Sequence, residues 1–398
     1  MHQSLLTFLL LLPLLLISPD AKAQRVETIQ FASSQTVDGL YVNAAGQLFA
    51  MGGFASDRVY RVDPSGTLEV FATGFDGPVS MTQTPDGAYY ATEFRWQFAE
   101  GGVARVDANG VAQRIATVLA GPADIVADDE GMLFVTHFGD INTANGRSVS
   151  LLDSSGQVST FAEGGTLAAP VGLARDEVGN VYAAGIYDGR ITRIAPDGTQ
   201  SLLATLETAT PFAIGHLAYA NGKLYATHVG RHQVQTIDVV SGVTEVIAGT
   251  GRAGSADGPA AEATFIQPNG IALSVTGDTV FVSEYTDSPA GRDRLRMIIN
   301  ESTSSVADPT QGAGIDLAID SNSSGREALS LSYRTGPGAA CKLELLDASG
   351  RLLRQERLEA TADSTRQHRL DDLSLVGGVY VLRLTVDRWS ISRQVVVR

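Results

Sequence analysis

A five-residue frame recurs down this chain with one position that changes: residues 48–52 (LFAMG), 89–93 (YYATE), 133–137 (LFVTH), 181–185 (VYAAG), 224–228 (LYATH) and 280–284 (VFVSE). The first four residues are small or apolar in every copy, and the fifth is Gly52, Glu93, His137, Gly185, His228 or Glu284. Repetition at this spacing implies one supersecondary unit used many times, because a single unit cannot bury its own apolar face and must stack on the next.

Each frame sits inside a longer unit. An apolar stretch opens after a Pro or Gly, as at Pro78, Pro122, Pro170 and Pro268, and a short turn such as Pro85-Asp86-Gly87 leads into the frame. A loop follows, then a third stretch (58–63 RVYRVD, 103–107 VARVD, 191–195 ITRIA, 234–238 VQTID), another Gly turn, and a fourth (68–73, 111–118, 158–163, 200–206, 243–248). Short runs rich in Val, Ile, Tyr and Phe between turn signals read as strands. Four strands in roughly 40 to 50 residues is the pattern of a β-propeller blade. Six units open near Asp38, Val79, Ala123, Val171, Gly215 and Asn269. The sixth lacks a fourth strand, and residues 26–32 (VETIQFA), close in pattern to 68–72 (LEVFA), supply it from the N-terminal side. Closure of this kind removes an open sheet edge. The predicted fold is all-β: a six-bladed β-propeller over residues 24–299 closed by an N-terminal strand, a Ser-, Asp- and Gly-rich linker over 300–327, and a small β-sandwich over 328–398.

Residues 5–17 form an apolar run followed by Ala21-Lys22-Ala23, a small-x-small cleavage pattern. Residues 1–23 therefore read as a secretory signal peptide, with Gln24 starting the mature chain. The run is short of the roughly 20 residues that a span needs, and no later segment approaches that length, so no transmembrane segment is expected in the mature chain. Residues 24–325 carry 34 acidic against 16 basic side chains, and residues 326–398 carry 9 against 12. An acidic propeller repels phosphates, which argues against nucleic acid as a partner. Cys341 is the one cysteine, so an intramolecular disulfide and a Cys-based zinc site are both excluded.

Loop length orients the ring. Turns between the first and second strands and between the third and fourth are short and uniform, whereas 94–101, 138–146, 249–267 and 285–293 are long. In an up-down-up-down blade the variable loops emerge at one end, where function concentrates. The start of the first strand and the fifth position of the frame lie at that end. The polar residues expected there are Asp38, Ser80, Asp124, His216 and Asn269 from first strands, and Glu93, His137, His228 and Glu284 from second strands. All four histidines of residues 24–299, His137, His216, His228 and His232, fall at this end. Carboxylates and imidazoles converging in a concave mouth can hold a divalent cation or move protons.

Residues 249–262 (GTGRAGSADGPAAE), followed by Pro268-Asn269-Gly270-Ile271-Ala272, resemble an NHL repeat. Residues 268–284 (PNGIALSVTGDTVFVSE), with Asp38-Gly39-Leu40-Tyr41-Val42 and residues 58–63, also resemble the senescence-marker-protein/gluconolactonase family. That resemblance implies a catalytic divalent cation (Ca, Mg, Zn or Mn) held by Asp38 and Asn269. The family's other ligands, a Glu and a second Asn, have no match at the equivalent starts, which carry Asp124 and His216. A His–Glu pair across the mouth is similar to that of streptogramin lyases. Residues 343–352 (LELLDASGRL), 378–384 (GVYVLRL) and 392–398 (SRQVVVR) resemble a type IX secretion sorting domain, which implies export to the surface or medium of a Gram-negative bacterium through its secretion machinery.

Two readings stay open. The chain is a secreted monomeric module whose mouth binds a small molecule, glycan or protein. Alternatively it is a metal-dependent hydrolase, lactonase or lyase, with Asp38 and Asn269 on the cation, Glu93 or Glu284 completing its shell, and His137, His216 or His228 as general base.

Overall fold

Alternating short strands and tight turns build sheets in which most strands are hydrogen-bonded to their sequence neighbours. A computed structural model describes residues 24–31, 37–63, 65–95, 101–140, 143–207, 212–284 and 294–300, then 316–319, 329–335, 341–347, 352–359, 365–373, 375, 378–386 and 389–397. The signal-peptide reading over 1–23 and most of the expected linker lie outside the described residues.

Five four-stranded sheets follow one another. Sheet one is Leu40–Val42, Leu48–Met51, Arg58–Val62 and Leu68–Thr73, and sheet two is Pro78–Gln83, Tyr89–Glu93, Gly101–Val106 and Ala112–Leu119. Sheet three is Pro122–Ala127, Leu133–His137, Ser148–Leu152 and Val158–Glu163, and sheet four is Pro170–Arg175, Val181–Gly185, Arg190–Ile194 and Gln200–Thr205. Sheet five is Ile214–Ala220, Lys223–His228, Gln233–Asp238 and Thr244–Ala248. Sheet six combines Pro268–Leu273, Thr279–Glu284 and Arg294–Asn300 with the N-terminal strand Gln24–Gln30. Gln24 pairs with Asn300 and Gln30 with Arg294, antiparallel throughout, so the N-terminal strand does close the last sheet. The first strand of each sheet packs on that of the next, and sheet six packs on sheet one, completing a β-propeller.

The core lies between sheets. Tyr182, Ala184 and Ile191 of sheet four pack on Ile214, Leu217 and Leu224 of sheet five, and the same apolar layer recurs around the ring. At the short-turn end, aspartates cap the hairpins from within: Asp63 Oδ1 accepts the backbone N–H groups of Ser65 and Thr67, and Asp153 Oδ1 those of Ser155 and Gln157. These bonds to the charged form hold both carboxyls below their ordinary range, the neighbouring serine hydroxyl contributing most. Gly66 in such a turn has φ +85°, and a Cβ there would stand 2.2 Å from the Gln30 carbonyl of the closing strand.

The C-terminal part forms two sheets: Asp316–Ile319, Leu329–Arg334 and Arg366–Leu370, and Leu352–Leu358, Cys341–Asp347, Gly378–Val386 and Trp389–Val397. Leu331, Leu343, Leu345, Leu370 and Leu382 are buried in one shared core. Asp316–Ile319 departs from the linker expected over 300–327. It is a strand because Leu317 enters that core while its backbone pairs with Leu331–Arg334. Among the described residues no helix is long and apolar enough to cross a membrane.

Candidate functional site

Register places two residue sets at the loop-rich end. The first strand starts opposite the end of the frame in the same sheet: Pro78 pairs with Glu93, Pro122 with His137, Pro170 with Gly185, Ile214 with His228 and Pro268 with Glu284. The two sets face different surroundings, because the first strand lines the channel and the second stands one strand further out.

The first-strand set converges. Asp124 Oδ1 accepts the hydroxyl of Ser80 and Oδ2 accepts the backbone N–H of Leu173 at 2.8 Å. His216 Nδ1 lies 3.1 Å from Asp124 Oδ2 and its Nε2 lies 3.9 Å from Asp38 Oδ1. Asn269 Nδ2 donates to Asp38 Oδ1 at 2.6 Å. One network thus takes a member from every sheet and plugs the channel. Burial disfavours a charged His216, but the charge and hydrogen bond of Asp124, joined by those of Asp38, outweigh it and push the imidazole up to about 10. His216 is therefore an imidazolium at neutral pH. It can hold two carboxylates together or give a proton, and it does not serve as the general base expected of it.

The second-strand set does not converge. Glu93 is buried, accepting Arg114 Nε of its own sheet and the backbone N–H of Asp76. Glu284 is fully buried between Arg294 Nε at 2.9 Å and Arg296 Nη1 at 3.1 Å, and also accepts the Ile266 N–H. His137 Nε2 meets Ser150 Oγ at 2.7 Å, and burial drives its imidazole down to about 4. His228 donates from Nε2 to the Glu207 carbonyl and accepts the Arg231 N–H at Nδ1, so both ring nitrogens serve backbone groups. Glu93, His137 and Glu284 run into their own sheets, His228 turns to the backbone at Glu207 and Arg231, and the four do not meet around the mouth. The expected pairing of His and Glu across it is not formed.

The next residue turns the other way. Phe94, Phe138, Ile186 and Val229 each follow the frame directly, and all line a cavity of about 310 Å³ above the plug. Phe54, Tyr187 and Phe212 join them, with Asp38, His216, Asn269 and Gln267 at the polar end. The aromatic rings form a continuous arc: Phe54–Phe94 at 4.9 Å, Phe94–Phe138 at 5.8 Å, Phe138–Tyr187 at 6.1 Å and Tyr187–Phe212 at 5.6 Å between centroids. A second cavity of about 240 Å³ lies on the far side of the plug and shares Ser80, Asp124 and His216 with it. Sequence reasoning that followed polar residues passed over this arc. The signal was the residue after each frame, since successive strand side chains face opposite ways.

The residues present do not fit a divalent cation. Asp38 and Asn269 do meet, but Asn269 turns its amide N–H toward Asp38 and the imidazolium of His216 faces the same carboxylate oxygen. No group of three or more His, Cys, Asp or Glu among the described residues is arranged to hold a metal.

No family model matches this chain, and no curated protein matches it. Solved structures match it in fold. An auxiliary nutrient binding protein from Bacteroides thetaiotaomicron aligns with a TM-score of 0.56 at 13% identity, covering 69% of this chain and 76% of that one. A PQQ-bound aldose sugar dehydrogenase from Streptomyces coelicolor gives 0.52 at 13% identity, with 70% and 98% covered. A gluconolactonase from Xanthomonas campestris gives 0.49 at 15% identity, with 70% and 95% covered. For the first two, at these identities, the likeness is one of fold.

Proposed function

We propose that the propeller is a binding module that takes a small organic molecule with an apolar or aromatic body into the mouth above the channel plug. The aromatic arc carries this reading: five rings contributed from successive parts of the chain touch one another around a single cavity. Such a cavity, apolar with a few convergent polar groups at one end, is the usual form of a small-molecule site. Tyr187 and Phe212 remain 38% and 43% exposed at its rim, where a ligand would cover them. The likeness to a nutrient binding protein is one of fold, so the ligand is argued from the cavity.

The alternative, a gluconolactonase-like metal-dependent hydrolase, draws on the meeting of Asp38 with Asn269. It is the weaker reading, because the groups that would complete a metal shell, Glu93 and Glu284, are held by arginines. The signal-peptide reading of residues 1–23 and the sorting-domain resemblance support a monomeric module outside the cell or on its surface in a Gram-negative bacterium.

The neutral fluorescent probe N-phenyl-1-naphthylamine tests the binding reading. Saturable single-site binding is expected, weakened at least tenfold by Phe138→Ala combined with Tyr187→Ala. No saturable binding by the folded wild type, or equal binding by the double variant, would overturn it. Lactone turnover that rises with added calcium, magnesium, zinc or manganese and disappears in Asp38→Ala would favour the hydrolase.

A further inference from the structure

The walls of the mouth say which charge its occupant carries. Among the described residues lining it there is no Lys or Arg, and the titratable ones are Asp38, His216 and Tyr187. The one positive group, His216, has its two ring nitrogens turned to protein carboxylates, Nδ1 to Asp124 and Nε2 to Asp38. Both nitrogens face carboxylates, Nδ1 at 3.1 Å and Nε2 at 3.9 Å, and the carboxylates beside them disfavour an anionic ligand.

Asp38 is the carboxyl side chain that lines the cavity among the described residues. Its Oδ1 accepts Asn269 Nδ2 and faces His216, while among the described residues no hydrogen bond reaches Oδ2. Asp38 lines the cavity, and its small exposed area leaves Oδ2 open to what enters there. A carboxylate oxygen that faces a cavity and accepts no hydrogen bond from its neighbours is a place where a ligand N–H makes a charge-assisted bond. The aromatic rings above it act in the same direction, since their faces attract cations and repel anions.

We propose that the mouth selects an organic cation: a protonated primary amine on an apolar or aromatic body, with the ammonium group on Asp38 Oδ2 and the body against the arc from Phe54 to Phe212. The proposal rests on the reading of the mouth as a binding site and adds the class of ligand. Asn269 and Gln267, whose side-chain amides carry acceptor oxygens, also line the cavity. An ammonium carries three donors, so it can use Asp38 and one of these at once.

Three probes of matched shape separate charge from shape: 2-phenylethylammonium, 2-phenylethanol and 3-phenylpropanoate, titrated calorimetrically into the full chain at neutral pH. The ammonium is expected to bind at least tenfold more tightly than either of the others. In Asp38→Asn the gap between ammonium and alcohol should close to less than threefold. Equal or tighter binding of the alcohol or the propanoate overturns the proposal, as does undiminished preference for the ammonium in Asp38→Asn. If Asp38→Asn does not fold, the wild-type ranking of the three probes decides alone. If N-phenyl-1-naphthylamine binds but the ammonium is not preferred, the ligand class falls while the binding reading stands. If neither binds, both fall.

Discussion

Glu284 and Asp38 are both buried carboxylates at the loop-rich end, and the partners each has been given set them apart. Glu284 meets two guanidiniums and a backbone N–H, and Arg296 continues the chain of contacts to Asp257 and the Ala256 carbonyl. Asp257 in turn accepts the N–H and hydroxyl of Thr28 on the closing strand. That region is a clasp: it fastens the long segment before sheet six to the strand that completes the ring. Asp38 has an amide on one oxygen, an imidazolium 3.9 Å away and an aromatic cavity beside it. Saturation by arginine marks a carboxylate that holds structure, and incomplete satisfaction beside a cavity marks one that can receive a ligand.

The contrast is sharpest where the clasp is cut. Glu284→Gln leaves two buried guanidiniums facing a neutral amide, in a place where, among the described residues, Arg294 Nη2 and Arg296 Nε already lack partners. Breaking a buried pair from one side costs about 3–5 kcal/mol, and a loss of that size is expected in urea unfolding of this variant. Binding of N-phenyl-1-naphthylamine by the molecules that remain folded should be unchanged, since Glu284 does not line the mouth. A variant as stable as the wild type would remove the clasp, and folded protein that no longer binds the probe would merge the two regions.

A smaller effect separates the two by pH. His216 is held near 10 against an ordinary 6.5, mainly by Asp124 acting against burial. Its stabilising contribution is fully present below about pH 6.5 and is lost as pH rises through 10, because the folded chain holds a proton that the unfolded chain has released. His137, pushed down to about 4 by burial, behaves oppositely: stability falls as pH drops from 6.5 toward 4, where only the unfolded chain takes up the proton. Urea unfolding between pH 7 and 10.5 should show a decline in the wild type that His216→Gln flattens. The acid-side decline should survive that substitution and be reduced in His137→Gln. An alkaline flank identical in wild type and His216→Gln would mean that His216 carries no proton at neutral pH.

The propeller was legible because its signals are local and repeated. The apolar frame, the turns and the spare strand near Gln24 follow from strand periodicity and sheet-edge closure, and the structure pairs them as expected. The convergence of Asp38, Ser80, Asp124, His216 and Asn269 was legible too, since first-strand starts all face one channel. Two things were not. Glu93, His137, His228 and Glu284 stood at the right height in the sequence pattern, but height along a strand does not say which face a side chain takes, and their partners Arg114, Ser150 and Arg296 lie on strands whose register only the folded sheet reveals. The aromatic arc was hidden because a Phe after a strand reads as ordinary core, and only closure of the ring turns Phe54, Phe94 and Phe138 toward one space. Asp316–Ile319 was missed for a related reason: four residues among polar ones carry no period of their own until Leu317 finds its core.

The smallest expected effect concerns one backbone position used twice. The residue before the first-strand proline is left-handed in sheets two, three, four and six: Gly77 at φ +74°, Gly121 at +57°, Ala169 at +42° and Gln267 at +46°. For a residue with a side chain this conformation costs about 1–2 kcal/mol, and glycine avoids it. Ala169 recovers part of that by burying its methyl beside Phe94 and Phe138, worth about 0.8 kcal/mol. Gln267 lines the mouth and is held there by its N–H on His232 Nδ1 at 3.0 Å. Ala169→Gly should therefore be nearly neutral in stability. Gln267→Gly should stabilise the chain by about 1 kcal/mol and weaken 2-phenylethylammonium severalfold, because a strained residue kept against its own backbone preference is serving the cavity. Stabilisation without any loss of binding would assign Gln267 to the rim and leave Asp38 to hold the ammonium with Asn269 alone.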